Sequence, residues 1–357
     1  MERKLFGILP DGREVPVYIL KSETAECGII GWGAAIAQLT VPDADGRPVD
    51  VALGFDSIGD YLVQDKYIGA TVGRFANRIG GSRFILNGET VLLPANEGKN
   101  HLHGGIVGFD KRIWTEEAER EDEAPSPDED RVTLSLTSPD GDEGYPGELR
   151  VKVSYSLRGS VLTMRYTAVS SRDTVISLTN HAYLNLSGAG SGTVTDHIFR
   201  INAKKYLPTD AESIPTGEIA PVEGTPMDLT EPCGIADRID SDFPQLRKAR
   251  GYDHSYVIDG QPGELRFAAE AVSPKSGVRL RMYTDRPAVQ FYTGNFLAGC
   301  PAGKDGAEYR DRGGFCFEAQ AFPDAPNKPD FPTAVLKKGE TYTAATVFAF
   351  DTATAEN

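Results

Sequence analysis

The run Phe315-Cys316-Phe317-Glu318-Ala319 sets one carboxylate inside an apolar stretch, and Pro323, Asp324, Pro326, Asn327 and Pro329 break the chain directly after it. Strand periodicity puts Phe315, Phe317 and Ala319 on one face and Cys316 and Glu318 on the other. A carboxyl group held this way in a partly dry cleft has its pKa raised toward the range useful for proton transfer. The competing reading is a solvent-facing strand residue ahead of a turn.

A second set of reactive side chains lies far upstream. There are five histidines: His101, His103, His181, His197 and His254. His101-Leu-His103 has the spacing of a metal-binding pair. An open zinc site needs at least three N, S or O ligands, and no acid follows before Asp110. The expectation is therefore no metal. His103, beside Gly104-Gly105, reads either as a donor to a ligand hydroxyl or as a packed loop histidine. Asn100 and, further upstream, Arg74, Asn77 and Arg78 are of recognition type. Arg74 and Arg78 share a face only if their segment is helical, which Gly80-Gly81 argues against. His181 lies among Asn180, Tyr183 and Asn185, and its structural alternative is a core histidine bonded through Asn180. No Gly-x-Ser-x-Gly motif supports a nucleophile elbow, and no glycine-rich phosphate loop opens a helix.

These groups need strands to hold them. Short alternating runs at 15–20, 27–31 and 35–41, with turn residues between them, mark residues 1–55. Asn87-Gly88, the strongest short hairpin signal, joins Ser82–Leu86 to Thr90–Leu93. The alternation Val151, Val153, Tyr155, Leu157 marks a strand buried on one side, and Arg158-Gly-Ser160 turns it into Val161–Val169. Further strands are expected at 131–137, 251–258, 278–284, 288–293 and 340–350. Ser57–Val63 is the one early helix candidate, capped by Asp56 or Ser57. Residues 204–250 read as a turn-rich wrap, and the first fifteen residues as charged and then turn-like. The fold expected is all-β: a large antiparallel β-sandwich with few short helices, forming one domain over residues 1–357. The acidic segment 116–131 reads as a solvated loop or hairpin tip, not a site.

Composition narrows the partners. A net charge of −15 argues against nucleic acid and anionic membranes, which need basic surface. Four cysteines without CxxC spacing read as free thiols in a reducing compartment. With no leader-type apolar segment and no run of 18 apolar residues, the expected location is cytoplasmic.

Seven motifs occur together in one order: Gly73-Arg-Phe-Ala-Asn-Arg-Ile79, Asn100-His-Leu-His-Gly-Gly105, Gly141-Asp-Glu-Gly-Tyr-Pro-Gly147, Asn180-His-Ala-Tyr-Leu-Asn-Leu186, Tyr252-Asp-His254, Val289-Gln-Phe-Tyr-Thr-Gly-Asn-Phe296 and Phe317-Glu-Ala-Gln-Ala-Phe-Pro-Asp-Ala325. Together they resemble the aldose 1-epimerase, or galactose mutarotase, family across nearly the whole chain. The resemblance implies a large β-sandwich that interconverts the α and β anomers of free aldoses without cofactor or metal. It implies Glu318 as general base and His181 as general acid. It places Asn77, Arg78, His103, Tyr183, Asp253 and Gln290 against the sugar. Ala182, Leu184, Ala288, Ala319 and Ala321 depart from the commoner family residues.

Opening a hemiacetal takes the proton from the C1 hydroxyl and delivers one to the ring oxygen, so one base and one acid suffice. The expectation is that the pair sits on opposite sides of the C1–O5 unit, within about 3 Å of the two oxygens. Their pKa values are expected to move toward each other, with Glu318 ionised and His181 protonated. The alternatives are a non-catalytic carbohydrate-binding or sensor protein on the same fold, and a glycoside hydrolase, which needs two flanking carboxylates.

Overall fold

The structure is a computed structural model that describes residues 1–118, 126 and 128–353. Three sheets carry the architecture, and every strand pairing in them is antiparallel. The N-terminal sheet has five strands in sequence order: Glu2–Ile8, Glu14–Lys21, Glu26–Ile30, Ala35–Pro42 and Pro48–Asp50. The largest sheet has nine strands. At its centre Leu149–Arg158, Val161–Ser170, Thr341–Thr352 and Val278–Thr284 lie side by side. A third sheet of five strands runs Ala220–Pro221, Lys205–Leu207, Asp253–Val257, Ala288–Tyr292 and Cys316–Gln320.

The main core forms where the apolar faces of these sheets meet. Tyr18 and Ile36 from the first sheet, Val153, Met164 and Phe348 from the second, and Tyr256, Phe291 and Phe317 from the third belong to one buried cluster. This is the expected all-β sandwich. Each sheet turns its alternate residues inward, so the residues between them are free to face elsewhere.

Local signals were obeyed closely. The Asn87-Gly88 turn joins Arg83–Leu86 to Glu89–Leu92, with Leu86 opposite Glu89. Asn87 and Gly88 both have positive φ (53° and 83°), as the two-residue turn that matches strand twist requires. The early helix spans Ile58–Val63, and the Ser57 side chain accepts the Asp60 backbone N–H at its start. The second helix among the described residues is Pro244–Ala249. It falls in the 204–250 segment, along with three short strands. The first fifteen residues hold strand Glu2–Ile8 rather than a turn. Its side chains are largely exposed because it forms the edge of its sheet, so no buried face marks it in the sequence. Within the acidic 116–131 segment, residues 119–125 and 127 lie outside the described residues, while Thr115–Glu116 and Glu129–Ser138 are strands. Among the described residues, no helix is long and apolar enough to cross a membrane.

Candidate active site

Glu318 occupies the middle of strand Cys316–Gln320, opposite Gln290 on its neighbour, while Tyr292 faces both Cys316 and Asp253. The alternation separates two environments. Phe315 and Phe317 enter the core, with ring centroids 5.0 Å from Phe199 and 5.4 Å from Phe291 respectively. Glu318 points the other way, into a cavity of about 310 Å³, at the small end of small-molecule sites. It is only 2% exposed, which rules out the solvent-facing reading.

His181 reaches the same cavity from another segment. Thr179–Asn180 pairs with Thr71–Val72, the His181 backbone N–H donates to the Ala70 carbonyl, and Asn180 Nδ2 donates to the Gly69 carbonyl. Leu184 and Phe315 exchange backbone hydrogen bonds, which lays this segment along the Glu318 strand. His181 Nε2 comes 3.7 Å from Glu318 Oε1. The rings of Tyr183 (5.0 Å) and Tyr67 (6.0 Å) flank the imidazole. The pair stands side by side on the cavity floor, not on opposite walls. That arrangement suits two oxygens bonded to one carbon.

Two loops build the wall beside them. Gly104 has φ +87°, and a Cβ there would fall 1.8 Å from the Gly73 carbonyl oxygen. Only glycine lets the 73–77 and 103–105 loops meet so closely. The contact sets His103 Nδ1 to accept the Asn77 backbone N–H at 3.1 Å. In a neutral ring the proton is then on Nε2, so His103 offers a donor.

Arg78 also lines the cavity. Its Nε and Nη2 donate to the two oxygens of Glu97 at 2.7 and 2.6 Å. Asp253 is half-buried and receives Gln290 Nε2 at 2.6 Å. Of the eight residues named from the sequence, Asn77, Arg78, His103, His181, Tyr183, Asp253 and Glu318 line this one cavity, and Gln290 stands behind Asp253 and beside Glu318. Gln290 Oε1 and Glu318 Oε2 are buried with no hydrogen-bond partner. Unsatisfied buried acceptors in a cleft call for a ligand that brings donors.

Other candidates turn out to be structural. Arg74 is buried and donates to the carbonyls of Ser138, Pro139 and Gly147. Asn100 ties Gly81 to Glu212. His101 turns away from His103, bonding Pro94 and Tyr145. His197 and His254 are held by backbone N–H groups and by the side chains of Asp196 and Gln245 respectively. Sequence reasoning missed Tyr67, Glu97 and Tyr292, which line the cavity. For Glu97 the available signal was the need of a cavity arginine for a counter-charge.

His103, His181 and Glu318 place three possible ligand atoms within 4.8 Å of one another, so the third partner missing from the His101-Leu-His103 reading exists in space. A divalent cation fits it poorly. With His103 Nδ1 occupied by a backbone N–H, His103 presents Nε2–H rather than a lone pair. The cluster is better matched to hydroxyl groups.

Burial governs the protonation states. It pushes Glu318 well above the ordinary carboxylate range; Asp253 adds to this and Arg78 opposes it. Burial lowers His181 to about 4 and drives His103 well below its ordinary value. Burial likewise raises Asp253, against the opposing effects of Arg78 and Gln290. Burial alone would lower Arg78, but its bonds to Glu97 keep it raised. The Glu318 and His181 pKa values move past each other rather than settling in a shared range, Glu318 upward and His181 down to about 4. Burial shifts each group toward its uncharged form, against the expected charged pair.

The aldose 1-epimerase family model matches residues 16–349. The chain is 45% identical to galactose mutarotase from Bos taurus over 98% of both chains. It is 35% identical to aldose 1-epimerase from Escherichia coli K12 over 96% of this chain and 97% of that one. Among solved structures, galactose 1-epimerase from Lactobacillus acidophilus superposes with a TM-score of 0.84 at 27% identity, covering 99% of both chains. An aldose epimerase homologue from C. elegans gives 0.85 at 28%, covering 95% of this chain and 99% of that one.

Proposed function

The chain belongs to the aldose 1-epimerase family and is an isomerase that interconverts α and β anomers, and we propose that Glu318 and His181 carry its two proton transfers on a free aldose. The observation that supports these roles is the 3.7 Å approach of His181 Nε2 to Glu318 Oε1 on the floor of a sugar-sized cavity.

The pair works with one shared proton. Moving that proton from Glu318 to His181 creates carboxylate and imidazolium at no change in net charge. Glu318 then takes the C1 hydroxyl proton while His181 Nε2 gives its proton to the ring oxygen. The C1–O5 bond breaks and the C1–O1 bond becomes a carbonyl. Both side chains end uncharged, the state burial favours. Ring opening therefore discharges the ion pair whose formation burial opposes, and the two transfers leave the site with no net change in charge. Rotation about C1–C2 and closure on the other carbonyl face reverse the transfers and restore the starting state. Each placed group contributes on the order of 10²–10⁴-fold.

The remaining residues hold the sugar. His103 donates through Nε2–H. Arg78, fixed by Glu97, supplies positive charge near the reacting oxygens. Asp253 and Gln290 accept hydrogen bonds from hydroxyl groups, Asn77 offers its amide, and Tyr183 stacks on the imidazole. Chemistry of this kind needs no cofactor. We further read residues 1–357 as one domain, a reading supported by the main core, which draws on all three sheets.

Polarimetry tests the function directly. Fresh α-galactose or α-glucose should equilibrate faster with the protein than in buffer, and Glu318→Gln should remove the difference. Sugar binding by a wild type that leaves equilibration at the buffer rate would identify a sensor instead.

A further inference from the structure

Cys316 is buried against the imidazole and does not line the cavity. Its Sγ is 3.5 Å from His181 Nδ1. Both residues are buried, and the Leu184–Phe315 bridge fixes one against the other. The groups facing the ring are Glu318, His103, Tyr67, Tyr183, Tyr292 and Cys316 itself. Cys316 alone among these side chains has an atom within hydrogen-bond distance of Nδ1, and the ring also meets the backbone of His181 itself.

Which way this contact runs decides which nitrogen exchanges protons. Glu318 Oε1 lies 3.7 Å from Nε2. In the one-proton mechanism Nε2 takes up the Glu318 proton, so in the neutral ring Nε2 is the acceptor and Nδ1 carries the hydrogen. Burial holds the Cys316 thiol neutral, so its sulfur is present as a weak acceptor.

We propose that Cys316 is a positioning residue that accepts a hydrogen bond from His181 Nδ1–H, keeps Nε2 as the atom that gives and takes the ring-oxygen proton, and does so without the charge that would weaken the acid. A carboxylate in the same place would orient the ring equally well. It would also stabilise the imidazolium and make it reluctant to release its proton. A neutral sulfur separates the two effects. The inference rests on the assignment of His181 as the acid.

The test uses the full-length protein labelled with ¹⁵N-histidine, with His181 assigned by loss of its signals in His181→Gln. The neutral His181 ring of the wild type should show its proton on Nδ1. Cys316→Ala should show a mixed or Nε2–H ring, with kcat lower by about three- to tenfold and KM unchanged. Cys316→Ser, which retains an acceptor, should restore kcat to within about twofold of the wild type. An Nε2–H ring in the wild type, or a Cys316→Ala enzyme with unchanged kcat, would overturn the proposal. The wild-type spectrum decides even if Cys316→Ala does not fold. Full activity in His181→Gln would defeat the acid assignment separately, leaving the ring tautomer as an independent result.

Discussion

Replacing His181 and Glu318 by glutamine, singly and together, tests whether they act as one unit. The two atoms are 3.7 Å apart and share a single proton in the mechanism. Removing either leaves the other without a transfer partner, so each single change should lower kcat by about 10²–10⁴-fold, or roughly 2.7–5.5 kcal/mol of barrier. Independent groups would multiply to about 10⁴–10⁸-fold in the double variant. Coupled groups cannot, because the second loss removes nothing that still works. The double variant should therefore lie within about tenfold of the slower single one. Folding is a separate matter. The Glu318 pKa is raised in the folded state, so its contribution to stability is fully present at low pH and is lost as pH rises through the folded value. Glutamine removes that dependence, and Glu318→Gln should melt no lower than the wild type at pH 8. The assay is initial-rate polarimetry at saturating α-galactose, with thermal melts in parallel. Multiplicative losses in the double variant, or a single variant within tenfold of the wild type, would refute the one-proton pair.

Other outcomes follow from the same geometry. The pH profile of kcat/KM should be bell-shaped, with its acid limb near pH 4, where His181 takes up a second proton and no base remains. The alkaline limb belongs to Glu318. Asp253→Asn removes a charge that raises Glu318, so this limb should move to lower pH while the acid limb stays in place. Because His103 presents Nε2–H to the cavity, prolonged dialysis against EDTA should leave activity unchanged. Loss of activity restored by zinc would show a catalytic metal. His103→Leu should lower kcat/KM by about three- to tenfold, the worth of one neutral hydrogen bond, as read by the same polarimetry.

Much of this was legible in residue order alone, for identifiable reasons. Glu318 stood out because a strand's period of two is rigid, and a carboxylate out of phase with Phe315 and Phe317 must face somewhere other than the core. The Asn87-Gly88 hairpin was legible because its turn needs positive φ at both positions. What remained hidden depends on contacts between distant segments. Arg74 and Arg78 look alike in sequence, yet one is bound to carbonyls of the 138–147 loop and the other to Glu97 in the cavity. The His103 tautomer is set by a backbone N–H on another loop, and the His181 partner Cys316 lies 135 residues away. Strand Glu2–Ile8 escaped because an edge strand with exposed faces carries no burial pattern. The extent of the two pKa shifts was misjudged because the burial that drives them comes from cavity walls contributed by many segments.

The most direct test is a crystal structure of the Glu318→Gln protein with galactose bound. The C1 hydroxyl oxygen should lie within about 2.6–3.2 Å of the residue 318 amide, and the ring oxygen within the same distance of His181 Nε2. A sugar bound with C1 turned toward Asp253 and Gln290, away from both groups, would contradict the account.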